Sequence, residues 1–332
     1  MRMKPNKDAP YIIGVDLGGT NVRAVLSDRS GNILQDARRP TLATEPPPVI
    51  EGQIVGAIRD AMARAGVSEQ DVAGVGIGIP GIMDHETGVV FWSPNFPTWS
   101  DAEPVGANVA KQLGLATYII NDARCAALGE LHFGAGRGAR NMVMITLGTG
   151  IGGAIVLDGK LMLGPQGSIG EIGHQTLWPD GPKCGCGNFG CMEALCGIGA
   201  IVDRCRRKLQ AGRYSRIIEL VGGDWDKITP AIIDQAADEG DPVAREVMDE
   251  TGMWIGIGAA NMINILAPDL FVIGGGVAQA GDTIFEPIIR TINARAVRRQ
   301  RERCRVVPAQ LGDNAGVMGG VVLVLQALEA EQ

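Results

Sequence analysis

The chain has 332 residues, a formal net charge of −7 and 20% charged residues, so strong non-specific nucleic-acid binding is excluded and two domains are expected rather than one core. With 45% hydrophobic residues it reads as globular, and 48 glycines against 4% aromatics, placed singly, imply tight turns and close backbone approaches rather than linkers. No stretch nears the roughly 18 consecutive apolar residues of a membrane span, the first ten residues lack an export signal's apolar run, and cysteine usage points to a reducing cytoplasm.

From Tyr11, "YIIGVDLGGTNVRAVLSDRSGNIL" reads strand, glycine turn, strand, turn, strand, with turns at Gly18–Gly19 and Asp28–Gly31. "VIEGQIVGAIRDAMARAG" has helical spacing and stops at Gly66. "VAGVGIGIPG" is a buried strand ending on glycine and proline, "FWSPNFPTWSD" a loop, and "GANVAKQLG" a short helix. "ATYIINDARCAALGELHFGAG" is a strand that breaks at Asn121–Asp122 into a helix.

The opening pattern then returns: "NMVMITLGTGIGGAIVLDGKL" lies on the first element at an offset of 130, with Asp16–Thr20 facing Thr146–Gly150 and Asp28 facing Asp158. Helices follow around "AIVDRCRRKLQ", "ITPAIIDQAADEG" and "PVAREVMDETGMWIGIGAANMINIL", then the buried strand "LFVIGGGVA" and the terminal helix "AGVMGGVVLVLQALEAE". Strands alternating with helices in both halves make the chain α/β, and the repeat predicts two related domains with a binding cleft between them. The boundaries expected are 1–122, completed by a helix at 315–332, and 123–314. The arginine-rich run Arg290–Arg305 is expected to be a solvated helix end.

Glycine–threonine turns between strands expose backbone N–H groups, and such nests favour phosphate. The first turn offers Gly18, Gly19, Thr20 and Asn21, the second Thr149 and Gly150, and Asp16 at the strand end is placed to hold Mg²⁺ directly or through water. "GTGIGG" satisfies G-x-G-x-x-G, but a strand follows where a dinucleotide fold needs a helix. There is no P-loop, and neither H-R-D nor D-F-G follows as in a protein kinase.

One imidazole and three thiols in "HQTLWPDGPKCGCGNFGC", namely His174, Cys184, Cys186 and Cys191, are the ligand set of a closed tetrahedral, hence structural, zinc site. Such a metal would hold Glu171, His174 and Glu193 in fixed relation, a set suited to hydrogen bonding a polyol; surface charge or helix capping is the competing role for the two glutamates. Asp122 before a helix also reads as an ordinary N-cap.

The motifs "DLGGTNVRA", "GIGIPGIMD", "NDARCAALGE", "LGTGIGGAIV", "GEIGHQTL…CGCGNFGCMEA", "VIGGGVA" and "GDNAGVMGG" resemble the ROK family of bacterial sugar kinases and repressors. The resemblance implies two ribonuclease-H-like domains of the actin-like ATPase superfamily, with transfer of the γ-phosphoryl group of Mg-ATP to a hexose. It makes Asp122 the general base, puts Gly81, Asn95, Asn121, Glu171, His174 and Glu193 at the sugar, and sets Gly275 and Gly276 against the adenosine. Glucose at its 6-hydroxyl is the substrate implied first; fructose, mannose and the N-acetylhexosamines are the alternatives, and the phosphate clamp alone does not separate ATP from polyphosphate. Intact Asp16, Asp122 and glycine turns weigh against a sensor without turnover, and ten residues before the first strand are too few for a repressor's helix-turn-helix. A homodimer or larger homo-oligomer is expected, with no nucleic-acid or membrane partner.

Overall fold

The computed structural model describes residues 3–99 and 102–331. Contacts divide the chain into two units, one of Met1–Gly138, Leu161–Ile169 and Gln310–Gln332, the other of Ala139–Lys160 and Gly170–Ala309.

The strands of the first unit are β1 (Tyr11–Leu17), β2 (Asn21–Asp28), β3 (Ile33–Pro40), β4 (Val72–Ile79), β5 (Ile82–Asp84), β6 (Val89–Trp92) and β7 (Thr117–Asn121). Five of them form a sheet of order β3-β2-β1-β4-β7, while β5 and β6 make a separate antiparallel ribbon. The pairs β1–β2 and β2–β3 are antiparallel, β1–β4 and β4–β7 parallel. The central β4 is buried at every residue, which is why its sequence is an unbroken apolar and glycine run. Helix α1 (Pro47–Ala65) ends where Gly66 turns left-handed at φ 66°. It is followed by α2 (Val105–Leu113) and α3 (Asp122–Phe133). Phe91 and Trp92, read above as loop, end β6; Ser100 and Asp101 of the same stretch lie outside the described residues.

The second unit has β8 (Met142–Leu147), β9 (Ile151–Leu157), β10 (Lys160–Leu161), β11 (Leu270–Gly274) and β12 (Arg305–Pro308), in the order β10-β9-β8-β11-β12. That is the order of the first sheet, as the repeat predicts. The offset needs one refinement: Leu17 pairs with Val22 but Leu147 pairs with Ile151, so the second turn is one residue shorter and the offset falls from 130 to 129 beyond it. The helices are α4 (Met192–Cys196), α5 (Ile198–Gln210), α6 (Ile217–Leu220), α7 (Pro230–Asp238), α8 (Pro242–Leu266), α9 (Asp282–Arg295) and α10 (Arg298–Arg301). Asp241 caps α8 by accepting from Ala244 N at 2.8 Å. The arginine-rich run is the end of α9 and all of α10, where Arg290 pairs with Asp249 and Arg298 with Glu302.

Helix α11 (Ala315–Ala330) returns to the first unit and packs on β1, β4 and α3. The approach is so close that a Cβ on Gly76 would overlap the Gly320 carbonyl oxygen, which accounts for the glycines of "GDNAGVMGG". It also corrects the boundary expected after residue 122. Because α3 packs on α11, residues 123–138 belong to the first unit. No helix among the described residues is long and apolar enough to cross a membrane.

Candidate active site

In the first unit the ends of β1 and β7 and the segment before α11 bring acidic groups together. Asp16 is the penultimate residue of β1 and half-buried. Burial chiefly, and the nearby charges of Asp122 and Asp313, push its carboxyl up to about 6 from the ordinary 3.8, against the opposing pull of Arg23 and Arg38. A Cβ on Gly316, at the start of α11, would lie 2.8 Å from Asp16 Cγ, so glycine is what lets this carboxylate sit against the helix. In the turn after β1, Gly18 N–H donates to Asn21 O at 3.0 Å, and Thr41 Oγ1 donates to Gly18 O at 2.6 Å. Thr20 and Asn21 are exposed. The Asn95 side chain lies 3.3 Å from where a Gly19 Cβ would stand, so a sugar-site candidate and a phosphate-site candidate adjoin.

The helix cap before α3 is Asn121, not Asp122. Asn121 Oδ1 accepts from Ala123 N at 3.1 Å and Arg124 N at 3.3 Å, while its Nδ2 donates to Gly81 O at 3.2 Å. Two of these three hydrogen bonds cap the helix and the third holds Gly81, which stands at φ 125°. Asp122 becomes the first helical residue, its Oδ1 accepting from Ala123 N at 2.8 Å, so the N-cap expected at Asp122 falls one residue earlier.

The second unit carries the thiols. The ligand atoms of His174, Cys184, Cys186 and Cys191 all lie within 4.8 Å of one another. His174 Nδ1 is 3.7 Å from Cys184 Sγ, and Cys186 Sγ is 3.7 Å from Cys191 Sγ. Zinc–sulfur bonds of about 2.3 Å in a tetrahedron place sulfurs about 3.8 Å apart, so the donor set and its edges both fit. Short bridges build the loop: Thr176 pairs with Cys191 and Lys183 with Phe189, with Gly187 and Gly190 at positive φ.

The other face of the histidine looks toward Glu171, with Nε2 to Oε2 at 3.9 Å. Glu193 reaches the opposite way. Its Oε2 accepts from Ile151 N at 3.0 Å, and its Oε1 lies 3.5 Å from Cys184 Sγ. A Cβ on Gly150 would stand 2.5 Å from that carboxylate. The absence of a side chain at Gly150 therefore leaves room for the Glu193 carboxylate beside the turn. Helix α5 begins against the other end of this turn, where Ile198 N donates to Gly148 O at 3.0 Å. At the end of β11, Gly275 is required by the fold, since its Cβ would overlap Leu147 backbone, whereas Gly276 faces open space.

Asp313 and Asn314 escaped the sequence reading, and Arg23 reaches both. Arg23 donates from Nε to Asp36 at 2.7 Å, from Nη1 to Asp313 O and from Nη2 to Asn314 Oδ1, both at 2.8 Å. Asp313 adds a third carboxylate to the neighbourhood of Asp16. Its only sequence signal is membership of "GDNAGVMGG", and no local pattern ties it to β1.

Two units with one strand order, each with a glycine turn after its first strand, define the ribonuclease-H-like class of the actin-like ATPase superfamily. The ROK family pattern matches residues 12–327, and the chain belongs to that family. It is 38% identical to a glucokinase of Streptomyces coelicolor over 94% of this chain and 96% of that one. It superposes on a ROK family glucokinase from Streptomyces griseus in complex with glucose and AMPPNP with a TM-score of 0.83, 35% identity and coverage of 95% and 99%. A ROK family transcriptional regulator, a homolog of the E. coli MLC protein, superposes with a TM-score of 0.87 at 28% identity, covering 97% of this chain and 79% of that one.

Proposed function

We propose that the protein is an ATP-dependent glucokinase that transfers the γ-phosphoryl group to the 6-hydroxyl of glucose. Similarity to glucokinases along nearly the whole chain supports the reaction class. The observation that carries the mechanism is Asp122, the first residue of α3 after the Asn121 cap and close enough to Asp16 for their charges to interact. Its carboxylate accepts the proton of the sugar hydroxyl as the hydroxyl oxygen bonds to the γ-phosphorus and the bond to the ADP oxygen breaks. Gly18–Thr20 and Thr149 face the phosphates, Asp16 holds Mg²⁺, and Gly276 leaves room for the adenosine. When bound, Mg²⁺ supplies charge neutralisation for the transferring group.

Asn95, Gly81, Glu171 and His174 orient the sugar, with Asn121 acting through Gly81 and Glu193 through the β8–β9 turn. His174, Cys184, Cys186 and Cys191 would hold a structural zinc, which would fix the loop that carries His174. The thiol ligands require reducing surroundings, so we place the protein in the cytoplasm, in carbohydrate metabolism. We also propose a homodimer or larger homo-oligomer, tested by light scattering.

The decisive experiment is ADP release with Mg-ATP against glucose, fructose, mannose and their N-acetylamino relatives, beside Asp122→Asn. Glucose turnover that falls about 10²–10⁴-fold in the variant, with sugar affinity retained, is expected. Sugar binding without turnover in the wild type would overturn the kinase reading.

A further inference from the structure

Helix α3 carries a second acidic side chain, two turns beyond Asp122, that the reaction above does not use. Glu130 is 0% exposed, and no ion pair compensates it among the described residues. A carboxylate in that position is tolerated only where hydrogen bonds replace water. Here backbone groups do so: Oε2 accepts from Ala135 N at 2.8 Å and Gln310 N at 3.1 Å, and Oε1 accepts from Leu311 N at 2.7 Å. The donors lie just before the chain first leaves the first unit, after Gly138, and where it last re-enters it, at Gln310.

The segment so held leads directly to the acidic site. Asn314 N donates to Leu311 O at 2.9 Å, and Arg23 grips Asp313 O and Asn314 Oδ1. Two residues on, Gly316 stands against the Asp16 carboxylate, and its carbonyl accepts from Cys125 Sγ of α3 at 3.1 Å. Thus α3 supplies Asp122 at one end and, through Glu130, fixes the segment that backs Asp16 and Arg23.

Resting on the kinase reading, we propose that Glu130 is a positioning residue for phosphoryl transfer: it pins Gln310–Leu311 to the helix that begins with Asp122 and thereby sets the spacing between Asp122 and Asp16. Two partners on Oε2 and one on Oε1 need two acceptor oxygens. A glutamine satisfies at most the Ala135–Gln310 pair and turns an N–H donor toward Leu311 N–H, loosening the side that leads to Asp313.

The test is Glu130→Gln in the full chain, with Glu130→Asp beside it, in a wild-type preparation already shown to turn over. Three quantities are read: kcat, the Mg²⁺ concentration for half-maximal rate at fixed ATP, and the sugar Kd by tryptophan fluorescence. The expected result for Glu130→Gln is a kcat lowered about 10-fold or more and a Mg²⁺ requirement raised several-fold, with the sugar Kd within twofold of wild type. Glu130→Asp, which keeps the charge, is expected to fall in between. A purely structural role would lower thermal stability while leaving kcat per folded molecule and the Mg²⁺ requirement unchanged in both variants. That result, or loss of folding in both, overturns the proposal. An inactive wild type would instead count against the kinase reading.

Discussion

The wild-type protein is expected to be less stable than its Asp16→Asn variant when no Mg²⁺ is added. The folded chain holds the Asp16 carboxyl at about 6 against an ordinary 3.8, chiefly by burial. Below pH 4 both folded and unfolded chains carry the proton and nothing is lost. Between 4 and 6 the unfolded chain ionises first, so folding stability falls, and above 6 the whole cost remains. At about 1.4 kcal/mol per tenfold change in proton affinity, the full gap is about 3 kcal/mol. Asp16 is half-buried, however, and its open side screens the charge, which leaves about 1–2 kcal/mol. Asparagine keeps the shape and carries no charge. Urea titrations at pH 7 should therefore show Asp16→Asn more stable by that amount, shrinking to about a third at pH 4.5. Added Mg²⁺ should narrow the difference, because it favours the ionised carboxylate, while kinase activity is lost in the variant. Equal or lower stability of Asp16→Asn at pH 7, or a difference that ignores pH, would refute the reasoning.

Two further perturbations address the zinc loop and the helix–sheet contact. Cys184→Ser should lower bound zinc from one equivalent per chain to near zero and raise the sugar KM about tenfold, checked by metal analysis and steady-state kinetics; full affinity in a metal-free variant would detach the loop from the sugar site. Gly76→Ala places a Cβ on the Gly320 carbonyl oxygen and forces α11 off the sheet. It should cost at least about 2 kcal/mol in a urea melt, with a normal midpoint counting against the close packing of α11 on β4.

The strands, most helices and the repeat were legible because each is written locally. The apolar run of β4, the helical spacing closed by Gly66 and the turn at Gly18–Gly19 all lie within windows of a dozen residues. The cysteine cluster was legible for the same reason, since its four ligand residues fall within 18 positions. The role of Asn121 was missed because capping depends on which residue of "ND" has non-helical dihedrals, and composition does not say. Asp313 and Glu130 were missed on different grounds: their partners are 180 to 290 residues away, and a buried carboxylate held by backbone N–H groups leaves no charge complement in the sequence.

The repeat also shows where sequence likeness stops carrying function. Both halves read as a glycine turn between two strands, a pattern that predicts a phosphate nest in each. In the first half the turn has four residues between its paired strand ends, and exposed Thr20 and Asn21 lie beyond Gly19, which abuts Asn95. In the second it has three, and the carboxylate of Glu193 fills the space beside Gly150. One residue fewer draws Ile151 N–H into reach of Glu193 at 3.0 Å, and Glu193 stands two residues from a thiol of the cluster. The second turn is therefore tied to the cysteine loop through Glu193, and the proposed phosphate contact of this turn falls to Thr149 rather than Gly150. A side chain added at Gly150 would press on Glu193 rather than on a phosphate, so Gly150→Ala should disturb sugar affinity at least as much as the KM for ATP. The opposite order, a raised KM for ATP with sugar affinity untouched, would return Gly150 to the phosphate site.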